Sequence, residues 1–133
     1  MNFITEPKDI EELYPLVVKE CELIKGHFSE ELKKLLELEI TEFETDYKEG
    51  CIYGKLVGDC NDIRITNFIQ NNLDTVIVGK YYNSTPINND RTLLYITPLE
   101  EYIWGYIGEE ELEGEDYNYE AKERLQKVLN LLK

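Results

Sequence analysis

The chain has 133 residues, 42% of them hydrophobic, and its 28 acidic residues against 14 basic ones give a formal net charge of −14. This length and composition are typical of a single globular domain, which we expect over residues 1–133, and no apolar run reaches the roughly 18 residues that a membrane span needs. A negative field of this size disfavours direct binding to nucleic acid or to an anionic membrane and favours a basic protein partner.

Two helices are predicted in the first third of the chain. Apolar residues recur at helical spacing between Lys8 and Ile24, with Gly26 as the predicted end. Pro15 interrupts this segment, and because proline lacks an amide hydrogen we expect a kink or a break there. Ser29 is the expected N-cap of the second helix, whose apolar stripe consists of Leu32, Leu35, Leu36, Ile40 and Phe43.

The middle of the chain changes character between residues 44 and 60. The helical period disappears, and the glycine-containing stretch "CIYGKLV" (51–57) predicts a short strand or an extended loop. A third helix is expected after it, capped by Asp59 or Asn61 and burying Ile65, Phe68 and Ile69.

Two strands are predicted next, because "DTVIVGKYY" (74–82) and "TLLYIT" (92–97) are rich in β-branched and aromatic residues. The turn-rich "NSTPINND" joins them, so we expect an antiparallel hairpin. The predicted fold class is therefore α+β: a helix-rich domain with about five helices packed against a small antiparallel sheet of two or three strands.

Two further helices are predicted in the C-terminal third. Thr97, Pro98, Leu99 and Glu100 have the form of a capping box with proline at the first helical position. The helix that starts there is expected to bury Leu99, Tyr102, Ile103 and Tyr106. The last helix is predicted from about Asn118 and buries Ala121, Leu125, Val128, Leu129 and Leu132.

The three cysteines are expected to be reduced thiols without a metal. Cys21, Cys51 and Cys60 cannot pair completely, and the acidic N-terminus lacks the pattern of a secretory signal, so we expect a cytoplasmic protein. Zinc needs about four ligands at short spacings, which these cysteines and the single histidine, His27, do not provide. No cofactor is predicted.

The segment from residue 51 to residue 62 has two competing interpretations. Its Asp59, Asn61 and Asp62 suggest cation coordination, but an EF-hand loop that began at Asp59 would need a glycine and a glutamate where Arg64 and Gln70 stand. A tight corner before a helix is the favoured interpretation. The alternative is a small enzyme or ligand-binding domain, with Cys51, Cys60, Asp59 and Asp62 near a pocket.

Aromatic residues are interleaved with acidic ones in the C-terminal third, where no basic residue occurs between Arg91 and Lys122. Carboxylates attract a basic groove, and tyrosine and tryptophan often anchor protein interfaces. We call the predicted partner-binding residues the acidic–aromatic surface: Glu100, Glu101, Trp104, Glu109, Glu110, Glu111, Glu113, Glu115, Asp116 and Tyr117.

The leading functional hypothesis follows from this surface. We expect a non-enzymatic inhibitor or adaptor that engages the basic, nucleic-acid-binding surface of a partner protein, with carboxylates in the place of phosphates. The small acidic build and the high Asn, Ile, Lys and Glu content resemble phage and mobile-element proteins, including DNA-mimic inhibitors and immunity proteins. That resemblance implies counter-defence or immunity against a basic toxin, and it rests on composition without any motif.

Overall fold

Six helices and four short strands form the part of the chain that the computed structural model describes, namely residues 2–4, 10–39, 52–58, 62–79, 85–86, 94–104 and 115–133. The predicted helix-rich α+β organisation with a small sheet is confirmed. In chain order the elements are β1 (Asn2–Ile4), α1 (Ile10–His27), α2 (Ser29–Leu35), α3 (Ile52–Val57), α4 (Ile63–Asn72), β2 (Thr75–Gly79), β3 (Thr85–Pro86), β4 (Leu94–Ile96), α5 (Pro98–Trp104) and α6 (Glu115–Leu132).

The sheet is mixed, with the strand order β1-β2-β4-β3. β1 runs parallel to β2 and places Phe3 opposite Val76, whereas β4 runs antiparallel to both β2 and β3. The prediction of an antiparallel sheet of two or three strands is therefore corrected to four strands in mixed orientation. Val76 and Ile77 are successive residues that point to opposite faces of β2, and both are buried, as is typical of a central strand with neighbours on both edges.

Helix α1 continues through Pro15, so the predicted break into two helices at this residue does not occur. Pro15 lies near the N-terminal end, where its missing amide hydrogen removes only the bond to the carbonyl of Glu11. The helix also continues past Gly26 to His27, so the predicted end at Gly26 was too early. Only Phe28 separates α1 from α2, and Phe28 rather than Ser29 occupies the N-cap position of α2.

The segment after residue 51 is helical rather than extended, which corrects the predicted strand or loop. In α3, Ile52, Tyr53 and Leu56 are buried, and this packing overrides the low helix propensity of Gly54. Gly58 follows the helix with a positive φ of 93°, a backbone conformation that suits glycine.

Helix α4 begins directly after Asp62, whose Oδ1 accepts a hydrogen bond from the backbone nitrogen of Arg64 at 2.9 Å. Asp62 is therefore the N-cap, in place of the predicted Asp59 or Asn61. The expected burial of Ile65, Phe68 and Ile69 is confirmed.

The core centres on α1, which packs against α5 and α6, and buried residues of α2, α3, α4 and β2 extend it. The capping box at Thr97 forms as predicted, and Leu99, Tyr102 and Ile103 of α5 are buried. Helix α6 begins at Glu115, three residues before the predicted start, and all five of its predicted core residues are buried: Ala121, Leu125, Val128, Leu129 and Leu132.

Candidate functional site

Most of the predicted acidic–aromatic surface lies either at the edge of the described residues or outside them. Trp104 is the last residue of α5, and Glu115, Asp116 and Tyr117 form the first turn of α6, but the side chains of these four lie outside the description. The remaining acids, Glu109, Glu110, Glu111 and Glu113, fall entirely outside the described residues. The structure thus fixes the two helix ends between which this stretch of sequence runs.

Two residues of the predicted surface are corrected. Glu101 is buried, with 4% of its surface exposed, so it does not belong to an exposed face. Glu100 is half-buried, and its Oε1 accepts hydrogen bonds from the Thr97 hydroxyl at 3.1 Å and from the Thr97 backbone nitrogen at 3.4 Å. Its carboxyl group therefore completes the capping box. We remove both residues from the acidic–aromatic surface. From here on this name refers to the other eight residues of the set, of which Trp104 is the first and Tyr117 the last.

The 51–62 segment contains only one described candidate ligand, Asp62. Besides capping α4, the Asp62 carboxylate accepts hydrogen bonds from Arg64 Nε at 3.1 Å and Arg64 Nη2 at 3.2 Å. These bonds lower the pKa of Asp62. Cys51, Asp59 and Cys60 lie outside the described residues, so their proposed pocket is not tested, whereas Asp62 performs a structural task.

A buried carboxyl group on α1 is the most unusual feature of the described interior. Glu20 has 1% of its surface exposed. Its Oε2 accepts a hydrogen bond from the hydroxyl of Tyr53 on α3 at 2.5 Å, and its Oε1 accepts one from the backbone nitrogen of Leu99 on α5 at 3.0 Å. The Thr97 side chain also hydrogen bonds to this group. We call Glu20, Tyr53, Thr97, Leu99 and Glu100 the carboxyl network, which ties α3 and α5 to α1.

Burial shifts the proton affinities in the carboxyl network. Desolvation raises the pKa of Glu20 from 4.5 to about 7; its hydrogen bonds oppose this rise and repulsion from Glu100 adds to it. Desolvation likewise raises the pKa of Glu100 to about 7. Glu100 keeps part of its surface in solvent, so desolvation acts more strongly on Glu20 than on Glu100. Burial also raises the pKa of Tyr53 well above its ordinary value, which keeps that hydroxyl protonated as a donor.

A small cavity adjoins the carboxyl network and connects it to the surface. Glu20 and Pro98 line its inner part, and the exposed Lys19 and Asp74 lie on its rim, where the Lys19 ammonium pairs with the Asp74 carboxylate. Its volume of about 230 Å³ is below the roughly 300 to 1,000 Å³ of typical small-molecule sites. The cavity is therefore smaller than a typical metabolite site.

A second, larger cavity of about 510 Å³ lies along α4, where Asn67 and Asn71 stand one turn apart beside His27 and Arg64. The exposed His27 ring contacts Phe68 edge-on, with ring centroids 5.4 Å apart.

No described cysteine offers a nucleophile, because burial raises the pKa of the Cys21 thiol to about 12 and keeps it protonated.

Glu20 was not among the predicted site residues, although the sequence contains a signal for it. The buried residues Leu13, Val17 and Ile24 define the inner stripe of α1, and Glu20 lies three residues after Val17 and four before Ile24. An acidic residue at a core position of an amphipathic helix predicts a buried, hydrogen-bonded carboxyl group. Its partners could not be read from the pattern, since Tyr53 and Leu99 lie far away in sequence.

No cluster of three or more potential ligands for a metal ion occurs among the described residues, and within the same ranges no helix is long and apolar enough to cross a membrane. Comparison with models of protein families, with curated proteins and with solved structures gave no match.

Proposed function

We propose that this protein is an acidic, non-enzymatic inhibitor or adaptor that engages a basic, nucleic-acid-binding surface of a partner protein. The observation that carries the proposal is the net charge of −14 together with a stretch of 30 residues, 92–121, that contains no basic residue. The partner is expected to be a protein such as a nucleic-acid-binding enzyme or a basic toxin, because opposite charge selects it.

The position of the acidic–aromatic surface in the chain supports this proposal. The stretch between Trp104 and Glu115 starts and ends on helices that pack against each other and against α1. Ile103 and Leu125 are buried, and the Arg124 guanidinium donates to the carbonyl of Ile103 at 3.0 and 3.3 Å. The α5 end of the stretch thus lies next to the core, and the α6 end belongs to a helix that is packed in the core from Ala121 onward.

Charge and aromatic groups have separate roles in this proposal. Exposed carboxylates accelerate the encounter with a basic partner, and salt weakens this effect because the Debye length falls to about 8 Å at physiological ionic strength. An aromatic anchor that becomes desolvated slows dissociation instead. Trp104 is proposed as that anchor, with Tyr117 beside the acids at the start of α6.

The first experiment is affinity capture from a lysate of the native host at about 50 mM and about 300 mM salt, with three baits. They are the wild type, a variant with Glu109, Glu110 and Glu111 changed to lysine, and a control variant. The control changes the exposed Glu22, Glu37 and Glu123 to lysine, so it has the same net charge but an intact acidic–aromatic surface.

We expect the wild type and the control to retain the same partner at low salt. The variant with Glu109, Glu110 and Glu111 changed to lysine should lose it. The captured partner should also release duplex DNA or RNA when the wild-type protein is added. If both variants lose the partner equally, net charge alone is responsible. If the partner binds the protein and nucleic acid together, nucleic-acid mimicry is wrong.

The alternative, a small enzyme or ligand-binding domain that uses the 51–62 segment, has less support. The Asp62 carboxylate is occupied by the α4 amide and by Arg64, so it is not available to a substrate or a metal without loss of the cap. We therefore retain the binding protein as the proposed function.

A further inference from the structure

We propose that the carboxyl network is a proton-operated latch, which holds the first turn of α5 against α1 while its carboxyl groups are protonated and releases that turn when they ionise. The proposal goes beyond the proposed function, because it concerns the free protein. It rests on the placement of Glu20, which contacts α3 and α5 from a position with 1% exposure.

The protonated network keeps its contacts. A neutral Glu20 carboxyl group can still accept the hydrogen bond from the Leu99 amide at Oε1, and its own hydrogen can bridge Oε2 to the Tyr53 hydroxyl oxygen. Burying this neutral, hydrogen-bonded group costs less than burying a charge. The same contacts join α1 to the start of α5 and to α3. In this state the latch is closed.

Ionisation places negative charge in the interior, where hydrogen bonds stabilise it only in part. The described groups that act on the Glu20 carboxyl group are the Tyr53 hydroxyl, the Leu99 amide, the Thr97 side chain and the acidic Glu100, and none of these is a cation. The titratable residues next to Glu20 on α1 are Lys19, which is paired with Asp74, and Cys21 and Glu22. β2, which packs on α5, has no titratable side chain in "TVIVG", and Arg124 of α6 donates to the far end of α5.

Movement of the first turn of α5 would relieve this charge. Opening admits water to Glu20 and Glu100, whereas the last turn of α5 stays attached through the buried Ile103 and the Arg124 contact to its carbonyl. The cavity beside Glu20 and Pro98 supplies the route by which protons and water reach the network. Because burial raises the pKa of Glu20 to about 7, the transition falls near neutral pH.

The latch has a consequence for the acidic–aromatic surface, whose first residue, Trp104, ends α5. A change in the order of α5 near neutral pH would alter how firmly that end is held. This consequence depends on the proposed function, but the latch does not, so a test on the free protein separates the two.

Hydrogen exchange of the whole protein, followed by mass spectrometry and corrected for intrinsic exchange rates, tests the latch. The wild type is compared with Glu20→Gln, which keeps the shape but cannot ionise, and with Glu22→Gln, a control on the exposed face of α1. Between about pH 5 and about pH 8, opening of α5 in the wild type and in the control should increase at least about tenfold. In Glu20→Gln the increase should be several-fold smaller, and residues 125–132 of α6 should change little in all three proteins.

An equal response of α5 in the wild type and Glu20→Gln would overturn the latch, and so would a loss of protection in α5 and α6 together, since that is global unfolding. Infrared difference spectra of the wild type provide a readout that needs no variant. The band of a protonated carboxyl group should be present at about pH 6 and lost by about pH 8.5. Its absence at about pH 6 would also overturn the proposal.

Discussion

Replacement of Glu20 by glutamine should remove a loss of stability that the wild-type protein undergoes as the pH rises toward neutrality. The pKa of Glu20 is raised from 4.5 to about 7 by burial, so the folded state holds a proton that the unfolded chain releases. The free energy of unfolding therefore falls as the pH rises through this interval, and it stays low above about pH 7. Glutamine has no proton to lose, so the variant escapes this decrease.

The size of the effect follows from the pKa shift. A difference of about 2.5 units between the folded and unfolded states corresponds to about 3 kcal/mol, at about 1.4 kcal/mol for each unit. A fixed cost arises because the glutamine amide must re-form the hydrogen bonds to Tyr53 and Leu99, but this cost does not depend on pH. The difference in free energy of unfolding between Glu20→Gln and wild type should therefore shift by about 3 kcal/mol in favour of the variant between about pH 4.5 and about pH 8.

Urea unfolding of both proteins at several pH values and constant ionic strength measures this difference. Subtracting the wild type from the variant removes the contribution of the other carboxylates, which titrate in both proteins. Glu22→Gln, on the exposed face of the same helix, should follow the wild type. If the difference between Glu20→Gln and wild type stays constant within about 0.5 kcal/mol across this range, Glu20 has an ordinary proton affinity and the buried network is wrongly described.

Three further changes test the rest of the structure by thermal or urea unfolding. Tyr53→Phe removes the donor to Glu20 Oε2 and should lower the free energy of unfolding by about 1 to 3 kcal/mol above pH 7. Because that hydrogen bond lowers the pKa of Glu20, its removal should also extend the loss of stability to higher pH. An unchanged pH profile would contradict the contact. Asp62→Ala should lower the melting temperature through loss of the α4 cap, whereas Asp62→Asn should retain most of it, and equal melting of the two would exclude the cap. Gly58→Ala should lower the free energy of unfolding by about 1 to 2 kcal/mol because φ is 93° at this residue. Gly26→Ala, at an exposed position of α1, should raise it by about 0.5 to 1 kcal/mol. Changes of the same sign at both positions would contradict the backbone conformations described for these two glycines.

Local patterns predicted the elements whose signals are contained within a few turns of chain. The capping box from Thr97 to Glu100 and the apolar stripe of α6 needed only neighbouring residues, and both are confirmed. The strands β2 and β4 were recognised from their β-branched and aromatic residues.

The errors arose where distant contacts decide the structure. β1 is a strand because Asn2, Phe3 and Ile4 pair with β2, more than 70 residues away, and three residues are too few to show alternation. In α3 the burial of Tyr53 and its neighbours outweighs Gly54, which local propensity places outside a helix. Tertiary packing thus corrected the local preferences.

The candidate sites show the same division. The sequence shows an excess of acidic residues but not which of them are internal. Glu101 is buried, and Glu100 is half-buried and bonded to Thr97. Glu20 was overlooked because an acidic residue on a helix is usually solvated. The partners that make it a buried carboxyl group come from α3 and α5 and are visible only in three dimensions.

The most direct test of the proposed function is the association rate constant with the captured partner, measured from about 50 mM to about 300 mM salt. For the wild type and the Glu22, Glu37 and Glu123 control, association should be fast and should slow steeply as salt increases. Reversal of Glu109, Glu110 and Glu111 should slow association with little change in dissociation. Equal association rates for all three proteins, or a wild-type rate that salt does not change, would show that the acidic–aromatic surface does not engage a basic partner.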